Sequence, residues 1–419
     1  MADDVQLTVR TNRTSFPITG GDQLAYVLIE AMPTESVADV RMPLNFSLVL
    51  DHSGSMSGEK LANLKEAAKL AVDQMGPQDL TSLVIFDDNV AVMAPSQTVS
   101  DPQALKTAID EIPDGGGTEI SCGMQKGLEE LRKGMDPGRI SRMLLLTDGE
   151  TFGDEDDCRR LAAEAGDEGI AIAALGLGED WKEQLLDDIA EASGGRSDFI
   201  PADSPDTILD TFEREVQTAQ RTVVQNAEMI LRLVSGVLPR AVWRVKPMID
   251  KLDHRALSER DVQVSLGSMD RDQGQSVLVE MLVPPRQAGT YRIAQAEVNY
   301  DVVATDTVAE KVTSDVILTF TADAARAMET DPYVMNIVEK VTAHKLQTRA
   351  LDEAAVGNIA GATQKLRAAA TRLLELGEEE LAQTALDEAE RLEQGESLSA
   401  AATKKLRYET RKLTQKPAD

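Results

Sequence analysis

Leu44-Asn45-Phe46-Ser47-Leu48-Val49-Leu50 runs directly into Asp51-His52-Ser53-Gly54-Ser55. The first seven residues are mostly apolar, which predicts a buried strand and not the alternation of a half-exposed one. The next five place a carboxylate and two hydroxyls at alternating positions where the chain must turn. From Glu59 to Met75, Leu61, Leu64, Ala68, Val72 and Met75 share one helical face. Further strands are predicted at Leu80 to Phe86, Val90 to Met93, Met143 to Leu146 and Ile170 to Leu175. Helices are predicted at Asp101 to Ile112, Ser121 to Lys133, Arg159 to Glu168, Trp181 to Ala192 and Ile208 to Ala219. Short apolar strands alternating with helices predict an α/β unit whose mainly parallel sheet is covered on both faces.

In such a sheet ligands bind at the carboxyl ends of the strands. Asp51, Ser53 and Ser55 fall at one predicted strand end. Asp148 falls at another, in Leu144-Leu145-Leu146-Thr147-Asp148. Thr118 follows Gly115-Gly116-Gly117, which lets the backbone approach closely. Hard oxygen donors of this kind suit magnesium, manganese or calcium.

On these residues the chain resembles the von Willebrand factor type A (VWA) family, a doubly wound, Rossmann-like fold. Asp51, Ser53, Ser55, Thr118 and Asp148 match the family's metal-ion-dependent adhesion site, and the resemblance covers about residues 44 to 220. It implies direct coordination of the cation by Ser53, Ser55 and Thr118, with Asp51 and Asp148 acting mainly through water. It also implies an open position taken by a Glu or Asp of a protein partner.

The neighbours carry blander expectations. His52 is expected to point away from the site into packing or solvent. Asp87, Glu119 and Glu150 are expected to be solvated loop charges. Gly54 to Lys60 lacks the Gly-Lys-Ser/Thr of a phosphate loop, and no His, Cys or Lys is placed as a base or nucleophile near the five residues. His254 and His344 sit alone. Cys122 and Cys158 form no disulfide framework and read as small core residues.

The flanks differ. Strand character recurs at Val5 to Val9, Leu24 to Ile29, Glu228 to Val234, Val262 to Leu266, Ser276 to Val283, Tyr291 to Val298 and Asp315 to Phe320. Two lone N-terminal strands are not stable by themselves, so they are expected to pair with the strands after residue 222. The expected domains are therefore a discontinuous β-sandwich (1–43 and 221–321), the VWA domain inserted into it (44–220) and a helical C-terminal domain (322–419). In this expected arrangement the chain resembles bacterial VWA proteins with the domain inserted in a β-sandwich, and inter-alpha-trypsin inhibitor heavy chains. Gly377 and Gly395 are expected to stop helices, and Lys404 to Lys416 reads as a basic terminal helix.

A net charge of -29 over 419 residues argues against nucleic acid or an anionic membrane as main partner. No run approaches the roughly 18–20 apolar residues that span a bilayer. The acidic start lacks a signal peptide's basic and apolar regions, and the expected location is the cytoplasm. The expected function is metal-dependent protein binding and not catalysis. The alternatives are a subunit working with a separate ATPase, as in metal chelatases, and a metal-dependent hydrolase.

Overall fold

The computed structural model describes residues 4–38, 41–151, 153–202, 205–252, 255–256, 258, 260–302 and 307–415. His254 and Lys416 lie outside the described residues. The chain opens with β1 (Val5–Thr11), β2 (Phe16–Pro17), β3 (Gln23–Pro33) and the short helix α1 (Glu35–Ala38). An alternating series follows: β4 (Leu44–Asp51), α2 (Glu59–Gln74), β5 (Leu80–Phe86), β6 (Val90–Thr98), α3 (Pro102–Asp110) and α4 (Ile120–Lys133). It continues through β7 (Ile140–Thr147), α5 (Glu155–Asp167), β8 (Ala171–Leu177), α6 (Glu183–Ala192), β9 (Arg196–Ile200) and α7 (Pro205–Gln220).

Strands return as β10 (Thr222–Leu233), β11 (Leu238–Lys246), β12 (Asp250–Leu252) and β13 (Arg255–Ala256). Then come β14 (Asp261–Asp270), β15 (Gln275–Val283), β16 (Gly289–Val302) and β17 (Thr307–Thr321). Helices α8 (Ala324–Met328), α9 (Pro332–Ala355), α10 (Ile359–Glu375), α11 (Glu379–Glu393) and α12 (Ala400–Arg411) complete the chain. These elements form two compact units, Val37–Asn226 with Asp301–Val308, and Met1–Ser36 with Ala227–Tyr300 and Ala309–Asp419.

The first unit is built on a sheet of order β6-β5-β4-β7-β8-β9. Its pairings are parallel except β6, which runs antiparallel to β5. Every residue of β4 and β7 is buried, as expected for strands covered on both faces. Leu44, Phe46, Leu48 and Leu50 share one core with Leu61, Leu64 and Ala68 of α2 and with Phe212 and Val216 of α7. Val49, of opposite parity, meets α4, where a Cβ added at Gly127 would lie 2.5 Å from Val49 Cγ2. From β4 the chain passes to β5 on one side and later reaches β7 on the other. Strand order therefore reverses at the carboxyl ends of β4 and β7, where doubly wound folds bind ligands. Strand β9 escaped the sequence reading because Arg196 and Asp198 interrupt its apolar pattern.

The second unit holds two sheets, ordered β1-β3-β15-β11-β12 and β13-β14-β10-β16-β17-β2. The N-terminal segment contributes to both. Strand β3 lies between β1 and β15, with Ile29 opposite Val277 and Val27 opposite Val279. Strand β2 runs parallel to β17. Leu28, Trp243, Val245 and Leu278 of the five-stranded sheet share an apolar cluster with Val334, Ile337 and Val341 of α9 and Leu366 and Leu373 of α10. The C-terminal helices thus share a core with this sheet. A buried polar contact ties them further, since Glu280 accepts hydrogen bonds from Trp243 Nε1 at 3.0 Å and Lys345 Nζ at 2.6 Å.

Candidate metal centre

Asp51 is the last residue of β4 and is fully buried. Its Oδ1 accepts the Ser53 amide at 2.8 Å, and its Oδ2 accepts the Thr147 hydroxyl at 2.6 Å. Burial raises its carboxyl above the ordinary value, the hydrogen bonds from Ser53 and Thr147 oppose that rise, and the nearby Asp148 adds to it. Three residues further on, the chain turns through a short 3-10 helix at Gly54–Met56. This turn brings Ser53 Oγ to 3.1 Å from Ser55 Oγ. Ser55 in turn donates to Asp148 Oδ1 at 2.6 Å. Asp148 follows β7 and is also fully buried.

Thr118 arrives from the loop before α4. A Cβ built on Gly149 would lie 3.0 Å from Thr118 Oγ1 and 3.7 Å from Ser55 Oγ. Both hydroxyls therefore face one small space beside Gly149, a space that an alanine there would crowd. Asp51, Ser53, Ser55, Thr118 and Asp148 thus stand around one point. These donors fit a small hard cation, because they are oxygens only and include the buried carboxylates of Asp51 and Asp148. No cluster of three or more His, Cys, Asp or Glu able to hold a metal occurs among the described residues. Any cation held here would rest on the hydroxyls.

The expectations for the neighbours hold only in part. His52 is buried, which agrees with the packing role expected of it, and its Nδ1 lies 3.0 Å from the Pro113 carbonyl oxygen. Asp87 is not merely solvated. It accepts the Gly116 amide at 2.8 Å and the Asn89 amide at 2.7 Å. Burial alone would raise its carboxyl, but these amides prevail and hold it below the ordinary value. Asp88 takes the next amide, that of Gly117, at 2.9 Å, and the Gly116 carbonyl accepts from the Gly54 amide at 2.7 Å. The loop carrying Thr118 is therefore stitched to the turn after β5 and to the strand end bearing Asp51. A lysine also stands at the site, against the sequence reading. Lys60 Nζ lies 2.5 Å from Asp148 Oδ2. A signal was present in Gly58-Glu59-Lys60, which the sequence reading weighed only as a failed phosphate loop.

The stitching makes the glycines necessary. A Cβ at Gly115 would sit 2.6 Å from His52 Nδ1 and 2.7 Å from the His52 backbone oxygen. Relief requires moving backbone, so Gly115→Ala is expected to cost about 1–3 kcal/mol. It should also weaken cation binding by displacing Thr118. Thermal melting in chelator and a Mn2+ titration read the two effects separately.

Comparison with known proteins agrees with this fold. Residues 45–214 match the von Willebrand factor type A domain, and residues 332–416 match the family described as Sll0103-like, C-terminal alpha-helical domain. The chain is a VWA domain protein with a helical C-terminal region. It is 30% identical over 386 residues to the uncharacterized protein sll0103 of Synechocystis sp., covering 91% of this chain and 90% of that one. It belongs to the same family as that protein. Human inter-alpha-trypsin inhibitor heavy chain H4 is 29% identical over 198 residues, but these are 44% of this chain and 21% of the human one. Among solved structures, a von Willebrand factor type A protein from Catenulispora acidiphila superposes with a TM-score of 0.79 at 17% identity, covering 98% of this chain and 97% of that one. The ArnB paralog VWA2 from Sulfolobus acidocaldarius gives a TM-score of 0.59 at 14% identity, covering 98% and 99%. At such identities these two structures speak to the fold alone.

Proposed function

We propose that this protein is a binding module whose Ser53, Ser55 and Thr118 hydroxyls hold a divalent cation, with Asp51 and Asp148 acting through bound water. A Glu or Asp of a protein partner fills the remaining position. The observation that carries the reading is the 3.1 Å separation of Ser53 Oγ and Ser55 Oγ. The two hydroxyls hydrogen-bond each other at a spacing that adjacent ligands of an octahedral cation with bonds of about 2.1 Å also take. The all-oxygen donor set suits magnesium or manganese. The two buried carboxylates balance the cation's charge, and its open position retains affinity for an external anion.

Binding is favoured over catalysis because the basic side chains beside the site are engaged. His52 Nδ1 is at the Pro113 carbonyl oxygen and Lys60 is on Asp148. The protein should capture a partner in Mg2+ and lose it in chelator. Thr118→Ala should weaken capture more than it weakens Mn2+ binding, since Thr118 belongs to the loop and not to the strand end. Affinity capture followed by mass spectrometry, with and without chelator, checks this. Equal capture of the same partner in chelator would mean that another surface is used.

A further inference from the structure

We propose that Lys60 adds one positive charge beside the cation, so that the metal-loaded site selects an anionic carboxylate over a neutral oxygen ligand. This rests on the adhesion-site reading above and names what the site prefers.

Lys60 stands in the first turn of α2, which begins after Gly58 with no side-chain cap. A cation there faces the positive end of the helix dipole, a placement that local energetics disfavour. Its ammonium nevertheless lies 2.5 Å from Asp148 Oδ2, on a carboxylate whose side chain is 0% exposed, while Lys60 itself is 29% exposed. A lysine that breaks the local rule and reaches a buried acid is doing something other than solvating a helix. The other Asp148 oxygen accepts from Ser55. Lysine and hydroxyl cluster therefore divide one carboxylate, an oxygen each.

The charge count follows from these partners. Asp51 and Asp148 contribute two negative charges, which a divalent cation cancels. Lys60 adds one positive charge to these three, which an entering monocarboxylate offsets; Asp87 and Asp88, on the turn that holds the Thr118 loop, add negative charge whose repulsion Lys60 also opposes. Lys60 is 29% exposed and Ser55 is exposed, so the charge of Lys60 acts through partial screening. It opposes the repulsion of an anionic ligand by a chain of net charge -29. A neutral amide or carbonyl oxygen gains nothing comparable. The same positive charge works against the metal itself, by direct repulsion and by occupying Asp148.

Removing it must therefore push the two ligands in opposite directions. A lysine that merely propped Asp148 in place would, when lost, weaken both. Full-length wild type, Lys60→Met, Lys60→Gln and Lys60→Arg can be titrated with Mn2+ by calorimetry. Water-proton relaxation of the bound Mn2+ then follows displacement by acetate, with acetamide as the neutral control.

Lys60→Met is expected to bind Mn2+ about tenfold more tightly and to take acetate about tenfold less readily. Lys60→Arg should stay near wild type in both. Lys60→Gln decides the matter if the methionine variant does not fold. Variants weakened toward both ligands, or unchanged toward either, overturn the proposal. So does a wild type that binds Mn2+ but prefers acetate no more than acetamide. A wild type that binds no Mn2+ removes the adhesion-site reading itself, and does so before any variant is compared.

Discussion

Asp51→Ala should weaken Mn2+ or Mg2+ binding about 10–100-fold, the usual cost of losing a group that acts on a metal through other ligands. The wild type should show a single divalent site. The argument runs through the groups that Asp51 holds. Its two oxygens fix the Ser53 amide and the Thr147 hydroxyl, so the alanine variant frees the turn that sets the Ser53 and Ser55 spacing. It also removes one of the two buried negative charges beside the cation. The orphaned amide and hydroxyl each cost about 1–3 kcal/mol, so the variant should also melt earlier in chelator. A cation at about a hundred times its dissociation constant stabilises the wild type by about 2.7 kcal/mol. At the same cation concentration that increment should fall to about 0.4–1.4 kcal/mol in the variant. Calorimetry checks the affinity and melting curves check the linkage. Equal binding by both proteins would reject the site.

Deleting residues 1 to 30 should unfold the unit made of the two sheets and the C-terminal helices, while the segment 42 to 220 made alone keeps its fold. Strand β3 sits inside the five-stranded sheet, hydrogen-bonded to β1 and β15. Val27, Leu28 and Ile29 are essentially fully buried there, and Leu28 belongs to the cluster shared with α9 and α10. Burying such side chains contributes about 1.5–3 kcal/mol each, so their joint loss rivals a domain's total stability of about 5–15 kcal/mol. The ladder of β15 is also left unpaired along one edge. Limited proteolysis and calorimetric melting of the two shortened proteins would show the contrast. An unfolded 42–220 segment beside an intact truncated chain would contradict it.

Much of this protein could be read before its folding was known, and the legible parts share a physical cause. Leu44 to Leu50 and Met143 to Leu146 are apolar without alternation because both faces of their strands are covered. Asp51 and Asp148 stand out because carboxylates break those runs at the strand ends. Strands β9 and β11 escaped because Arg196, Asp198, Pro239 and Arg240 interrupt any simple pattern. Such strands are held by their neighbours, not by their own composition.

Local spacing by itself determined the α/β alternation, the five oxygen-bearing residues and the turn on which three of them lie. Those features depend on residues close together in the chain. Tertiary structure alone decided which distant groups complete the site. Lys60 meets Asp148 across 88 positions of sequence, the Gly117 amide meets Asp88 across 29, and the Ser55 hydroxyl meets Asp148 across 93. A charge or a hydroxyl acquires its partner only when packing removes water and brings the two within hydrogen-bonding distance, and no periodicity along the chain records that meeting.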